Sequence, residues 1–250
     1  MTALPLDMPD RRPALLMRAA AILALVALAC LVLIAFDPRP LDGERIWLKP
    51  LKFAAALALF LATLHWGIRA LPAPIREGRW LRVWTGIAIA TATAEMVWIA
   101  SAAALGTRSH YNVTVPWLQT LYETAMGPIA VLLALSAAAF GWPLLRHGWS
   151  EVERATGWAF IATAALTIPV GMALSFAPVE GAGLPLLGWT LAPGDLRPAH
   201  FMATHAMQAI PLAALALVQF GTLSYRTGLA LTLGWSALTL AAAAYGMGWI

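Results

Sequence analysis

Seven separate runs of apolar residues, each long enough to cross a lipid bilayer, constrain this chain more than any single motif does. They cover about 14–36, 47–70, 81–105, 117–141, 154–177, 198–222 and 227–249. A spanning helix needs roughly 20 such residues to match a hydrocarbon core about 30 Å thick. Inside that core the backbone must satisfy its own N–H and C=O groups, so only helices and closed barrels span it. The runs are not ten-residue stretches of alternating polarity, which barrel strands would show. The expected fold is therefore all-α: a polytopic integral membrane protein with seven transmembrane helices in a single domain over residues 1–250. With 61% hydrophobic and 11% charged residues, the chain also falls far below the roughly 25% charge of soluble domains.

The punctuation between the runs supports their boundaries. Asp37-Pro38-Arg39-Pro40 ends the first run, because proline and the residue before it resist helix. Pro50 falls in the first turn of the second run, where a missing N–H has no intrahelical partner to lose. Prolines and charges mark 71–79 as a loop, and the 178–197 connection is rich in Gly and Pro. Gly127-Pro128, Pro169 with Gly171, and Pro211 lie inside the fourth, fifth and sixth runs. Each proline removes a backbone hydrogen bond and invites a kink, and three kinked neighbours would open a cavity.

Basic residues set the expected orientation. With the N-terminus cytoplasmic, the inner side holds Arg11, Arg12, Arg18, Arg69, Arg76, Arg79, Arg82, Arg146, Arg154 and Arg226. The outer side holds Arg39, Arg45, Lys49, Lys52, Arg108 and Arg197. Ten against six favours N-inside and C-outside, the C-terminus periplasmic. Trp47, Trp66, Trp80, Trp117, Trp142 and Trp249 fall near run ends, as interfacial aromatic belts do. The net charge of +4 does not point to nucleic acid, since no basic cluster with interleaved aromatics is present. Cys30 is the single cysteine, so no intrachain disulfide forms. The segments ending at Cys30 and containing Arg11-Arg12 resemble secretion signals, but the apolar run continues to Phe36, so an uncleaved first helix is expected. The composition suits a bacterial multi-pass inner-membrane protein whose surroundings are the lipid bilayer.

Charged groups at membrane depth are costly, so each needs a partner or a purpose. Glu95 lies near the middle of the third run with no Lys or Arg within a turn. It is the leading candidate for a metal ligand, proton carrier or counter-ion. Lys49 and Lys52 are spaced i, i+3 and share a helix face. Either they snorkel to the outer head groups, or they pair with Glu95 or an anionic substrate. The loop Arg108-Ser109-His110-Tyr111-Asn112 is short, polar and aromatic. The next helix opens with Gln119, Tyr122 and Glu123, a polar stripe in its outer half. Asn112-Val113-Thr114 matches a glycosylation acceptor, which carries little meaning in a bacterial chain.

The stretch Arg197–Gln208 holds His200 and His205. Five residues apart, they diverge by about 140° on a regular helix, so one unbroken helix does not direct both at one metal. His205 and Gln208, three apart, share a face, while His200 is expected to point elsewhere at the membrane surface, meeting His110. His65 and His147 are expected at the inner interface.

Three families of membrane protein are excluded by their own residues. The zinc-dependent membrane hydrolases that include alkaline ceramidases carry a His-x-x-x-His pair near the last helix and an intramembrane Asp, and neither is present. Microbial rhodopsins need a lysine in the seventh helix, and Leu229–Ile250 contains none. Rhomboid-type proteases need a Gly-x-Ser-Gly context, which is absent.

Under one topology, Lys52, Glu95, His110, Glu123, His200, His205 and Gln208 all fall in the outer half. The expected function is an outward-facing intramembrane His/Glu/Lys site that binds a metal ion or haem for redox or hydrolytic chemistry. Glu95 and His205 are the best catalytic candidates. His110, His200 and His205 are the cofactor candidates, and Glu95, Glu123 and His205 the metal candidates. Lys49, Lys52, Tyr111, Gln119, Tyr122 and Gln208 are the substrate-binding candidates. Two other functions suit the same residues: a small-solute or proton-coupled transporter or sensor, and a non-catalytic subunit whose polar groups join helices. The ligand is a small molecule or ion, and no residue names a protein partner.

Overall fold

The computed structural model describes residues 11–110, 112, 115–176, 183–184 and 187–250, with the backbone alone for 11–13 and 175–176. Its elements are α1 (Arg11–Phe36), a hairpin of β1 (Pro40–Leu41) and β2 (Glu44–Arg45), α2 (Leu48–Arg69), the short α3 (Ala73–Arg76), α4 (Arg79–Ala104), α5 (Pro116–Leu121), a π-helical turn (Tyr122–Met126), α6 (Gly127–His147), α7 (Glu151–Phe176), α8 (Arg197–Gln219) and α9 (Tyr225–Gly246). Among the described residues seven helices are long and apolar enough to cross a membrane, with α5, the π turn and α6 forming one continuous span over Pro116–His147. The fourth span is thus longer than its apolar run, and the break at Gly127-Pro128 takes the form of the π turn just before it. Pro128 offers no N–H to the preceding turn, and a π turn absorbs that loss without ending the helix. Pro169 and Pro211 lie within continuous helix, as does Pro143 in α6.

The spans alternate in direction, so the bundle has two ends. The hairpin end carries residues 37–47 and the described residues between α4 and α5 and between α7 and α8, and the arginine end carries 70–78, 148–150 and 220–224. Packing runs α1 on α2, α4 on α6, then α6, α7, α8 and α9 in succession. The core of the arginine-end half is apolar and closed: Leu64, Ile68, Leu81, Phe140, Leu144 and Phe160 are each 1% exposed or less. Glycine lets α6 and α7 approach there. A Cβ on Gly141 would stand 2.6 Å from the Gly157 carbonyl oxygen, so only hydrogen fits. Outward-facing positions of α1 such as Ile22, Leu25, Leu28 and Val32 are more than half exposed, as lipid-facing side chains are.

The hairpin turns at Asp42 and Gly43, both with positive φ (55° and 81°). That is the backbone of a type I′ turn, for which Asp-Gly is a favoured pair. Asp42 and Glu44 are thereby held over the bundle mouth.

Candidate functional site

The site assembles where α2, α4, the 105–115 connection, the π turn, α7 and α8 meet at the hairpin end. Lys49 stands in the first turn of α2, with its ammonium 3.4 Å from His110 Nδ1 and 5.9 Å from the Phe53 ring centre. Ser109 Oγ lies 2.9 Å from the same Nδ1. An ammonium only donates, so Nδ1 supplies its lone pair and the ring proton belongs on Nε2. The His110 ring is sandwiched between Tyr122 at 4.9 Å and Phe53 at 5.8 Å between centroids. Burial holds the His110 pKa well below the usual histidine value, and the nearby Lys49 charge and then His200 push it further in that direction. Trp98 fixes the loop from below by donating to the Ser109 carbonyl at 2.7 Å.

Glu95 of α4 lies within electrostatic reach of Lys49. It is 4% exposed, and its Oε1 has no hydrogen-bond partner among the described residues. Lys49 is the charged group that acts on it. His200 enters from the first turn of α8 and lies flush on α7: a Cβ on Gly171 would sit 3.3 Å from its Cε1. Its Nδ1 is also buried without a partner. His200 is therefore packed between helices and within electrostatic reach of both His110 and His205, where the sequence suggests a place at the membrane surface. One turn deeper, His205 Nδ1 lies 3.2 Å from Gln208 Oε1, and Gln208 donates to Thr63 Oγ1 of α2 at 2.9 Å. The shared face of His205 and Gln208 is thus used to tie α8 to α2.

Other predicted site residues stand apart. Lys52 pairs with Glu44 at 3.2 Å rather than with Glu95. Gln119 donates to Glu123 at 2.9 Å, and Glu123 is exposed, so this pair satisfies itself on the outer surface of the bundle. The proposed metal set of Glu95, Glu123 and His205 is not brought together. Among the described residues no three His, Cys, Asp or Glu side chains form a group that could hold a metal ion. The donor set of Glu95, Glu123 and His205 therefore does not fit a metal centre. Tyr111 lies outside the described residues. His65 and His147 sit at the arginine end, as their positions imply.

No family model, curated protein or solved structure matches this chain.

Charge at the mouth is balanced locally. Asp37 pairs with Arg39 at 2.7 Å, Asp42 with Arg108 at 2.6 Å, and Asp195 with Arg197 at 2.8 Å, beside the Glu44–Lys52 pair. Asp195 is the best held. Its side chain is fully buried, and it accepts from the Thr190 N–H and hydroxyl and from the Arg197 N–H and guanidinium. Burial alone would raise its pKa, but the Arg197 guanidinium and the two backbone amides bring it down to about 2. This clamp fixes the start of α8 and hence His200, five residues on. Sequence patterning did not single out Asp195, Glu44 or Thr63, and it marked Gly171 only as a helix breaker beside Pro169. A usable signal existed only for Asp195, an acid just before a helix N-terminus.

Proposed function

We propose that this chain is a multi-pass protein of the bacterial inner membrane, with its N-terminus cytoplasmic, and that its hairpin end faces the periplasm and admits a small polar solute to the Lys49/Glu95/His110/His200 site. The supporting observation is that two polar atoms at this end, Glu95 Oε1 and His200 Nδ1, are buried without hydrogen-bond partners among the described residues. A buried polar group left unpaired costs about 1–3 kcal/mol, and such groups concentrate where a ligand completes them. A solute that pairs both would recover roughly five- to hundredfold in affinity at each. Lys49 would meet an anionic or electron-rich group, while Glu95 and His200 offer exchangeable protons. The orientation rests on the excess of arginine at the opposite end, and four of the six basic residues at the hairpin end are neutralised by acids beside them. The arrangement serves transport or sensing equally, because both begin with solute capture.

Thermal unfolding of the purified full chain against a panel of amino acids, carboxylates, amines and sugars tests this reading. A solute at 100 times its Kd stabilises the fold by about 2.7 kcal/mol. The shift is expected to vanish in Glu95→Gln and Lys49→Ala and to persist in Glu123→Gln. A shift that survives Glu95→Gln overturns the assignment. So does a stoichiometric metal or a visible absorption band in the purified protein, which would restore the metal or haem reading. A silent panel combined with weaker folding of Glu95→Gln would instead favour a structural subunit.

A further inference from the structure

The arginine end carries a second feature, remote from the solute site. An open groove of about 660 Å³ runs between α1, α2 and α3, lined by Ala14, Met17 and Arg18 of α1, His65 and Arg69 of α2, and Arg76 of α3. Among the described residues its polar lining is Arg18, His65, Arg69 and Arg76. The spacing explains the convergence. His65 and Arg69 are i, i+4 and share one face of α2, while Ala14, Met17 and Arg18 form one stripe of α1 beside the positions that pack on α2. Arg76 is braced by donating to the Leu71 carbonyl at 3.1 Å, which holds its guanidinium over the groove.

The other wall decides what kind of anion belongs there. Continuing the α1 stripe by i+4 and i+7 steps from Arg18 and Ala21 leads to Ile22, Leu25 and Leu28, all more than half exposed. A phosphate held by the arginines would thus have an uninterrupted apolar track beside it, running toward the middle of the span. A free phosphate has no use for such a track, but a lipid does.

We propose that this groove binds the phosphate head group of an anionic phospholipid, with Arg18 and Arg69 as its principal cations, Arg76 at its rim, and one acyl chain lying along α1. Arginine at this depth presents a planar fork of donors to phosphate oxygens, and anionic lipid draws each nearby Lys or Arg by about 1 kcal/mol. The site is independent of the solute reading, since the groove shares no residue with it.

The test is native mass spectrometry of the full chain, titrated with phosphatidylglycerol or phosphatidylcholine in detergent, with inorganic phosphate as a third arm read by thermal unfolding. Phosphatidylglycerol is expected to bind at least tenfold more tightly than phosphatidylcholine, and inorganic phosphate to leave the unfolding temperature unchanged. The double variant Arg18→Gln/Arg69→Gln should weaken phosphatidylglycerol about 25-fold, from about fivefold per arginine. The control Arg82→Gln/Arg226→Gln removes the same charge from exposed positions at the same end and should leave it unaltered. Arg18→Lys/Arg69→Lys keeps the charge and serves as the folded reference, losing no more than about threefold. Equal binding of the two lipids, equal loss in the control double, or stabilisation by inorganic phosphate matching that by the lipid would each overturn the proposal.

Discussion

At the arginine end α2, α6 and α7 meet through Gly67, Gly141, Gly157, Phe140 and Phe160, whereas at the hairpin end the neighbouring helices close around Lys49, Glu95, His110 and His200. The first half excludes water by backbone proximity and large apolar side chains. The second half spends that close fit on polar groups, two of which have buried atoms with no hydrogen-bond partner among the described residues. Their outer charges differ as well. Among the described residues, acids at the hairpin end sit beside bases in four ion pairs, while the polar lining of the groove at the arginine end is Arg18, His65, Arg69 and Arg76. The hairpin end thus holds a local polar structure, and the arginine end closes an apolar core.

Substitutions can separate the two halves, and the largest effect is expected at the Asp195 clamp. Asp195→Ala leaves Arg197 without its buried counter-ion and should cost roughly 3–5 kcal/mol, measured by chemical unfolding in mixed micelles. If the halves are distinct, the loss is accompanied by altered fluorescence of Trp189, near Phe201, without loss of helix content by circular dichroism. A cost below 1 kcal/mol would mean that α8 is positioned by packing alone.

Gly141→Val strikes the closed half. Its side chain would meet the Gly157 carbonyl and the Phe160 Cβ, which a Cβ alone already approaches to 2.6 and 2.9 Å. Overpacking of this kind costs about 1–3 kcal/mol. It should reduce stability without changing solute affinity in the fraction that remains folded. A selective loss of affinity would show that the halves are coupled.

A smaller effect comes from pH. His110 is held neutral in the fold, with its pKa well below the unfolded value of 6.5. The unfolded chain therefore binds a proton that the folded chain refuses as pH falls below about 6.5. The stabilisation is complete above that pH and is lost on acidification toward the folded pKa, at up to about 1.4 kcal/mol per pH unit. His110→Gln should flatten this slope between pH 6.5 and 5, and an unchanged slope would place the titration elsewhere.

Arg108→Ala should have the least consequence. Its pair with Asp42 is about half exposed on both sides, and such pairs contribute about 0–1 kcal/mol. A larger loss would make the hairpin a structural lid rather than a surface ornament of the mouth.

Much of the architecture was legible because membrane depth leaves few choices. The seven runs, the tryptophans near their ends and the shared face of His205 and Gln208 all follow from period and length. Glu95 stood out because a carboxyl in apolar sequence has few inexpensive explanations. What failed was partner choice. Lys52 lies one turn from Lys49 and has the same chemistry, yet it turns to Glu44 because an Asp-Gly hairpin brings that acid back over α2. Glu123 lies beside Tyr122, but the π turn directs Tyr122 to His110 and leaves Glu123 exposed with Gln119. No periodicity argument predicts a π turn's rotation.

The sequence by itself determined the helical class, the number of long apolar helices, their approximate limits and the identities of the polar residues available. Those follow from local rules, since a bilayer-length run must satisfy its own backbone. Only the tertiary structure decided which polar residues meet. Bringing Lys49, Glu95, His110 and His200 together depends on the packing of α2, α4, α7 and α8 and on Gly171 leaving room for an imidazole. These depend on contacts between distant positions, 61 residues apart from Lys49 to His110 and 145 from Thr63 to Gln208, and no local pattern in the chain encodes them.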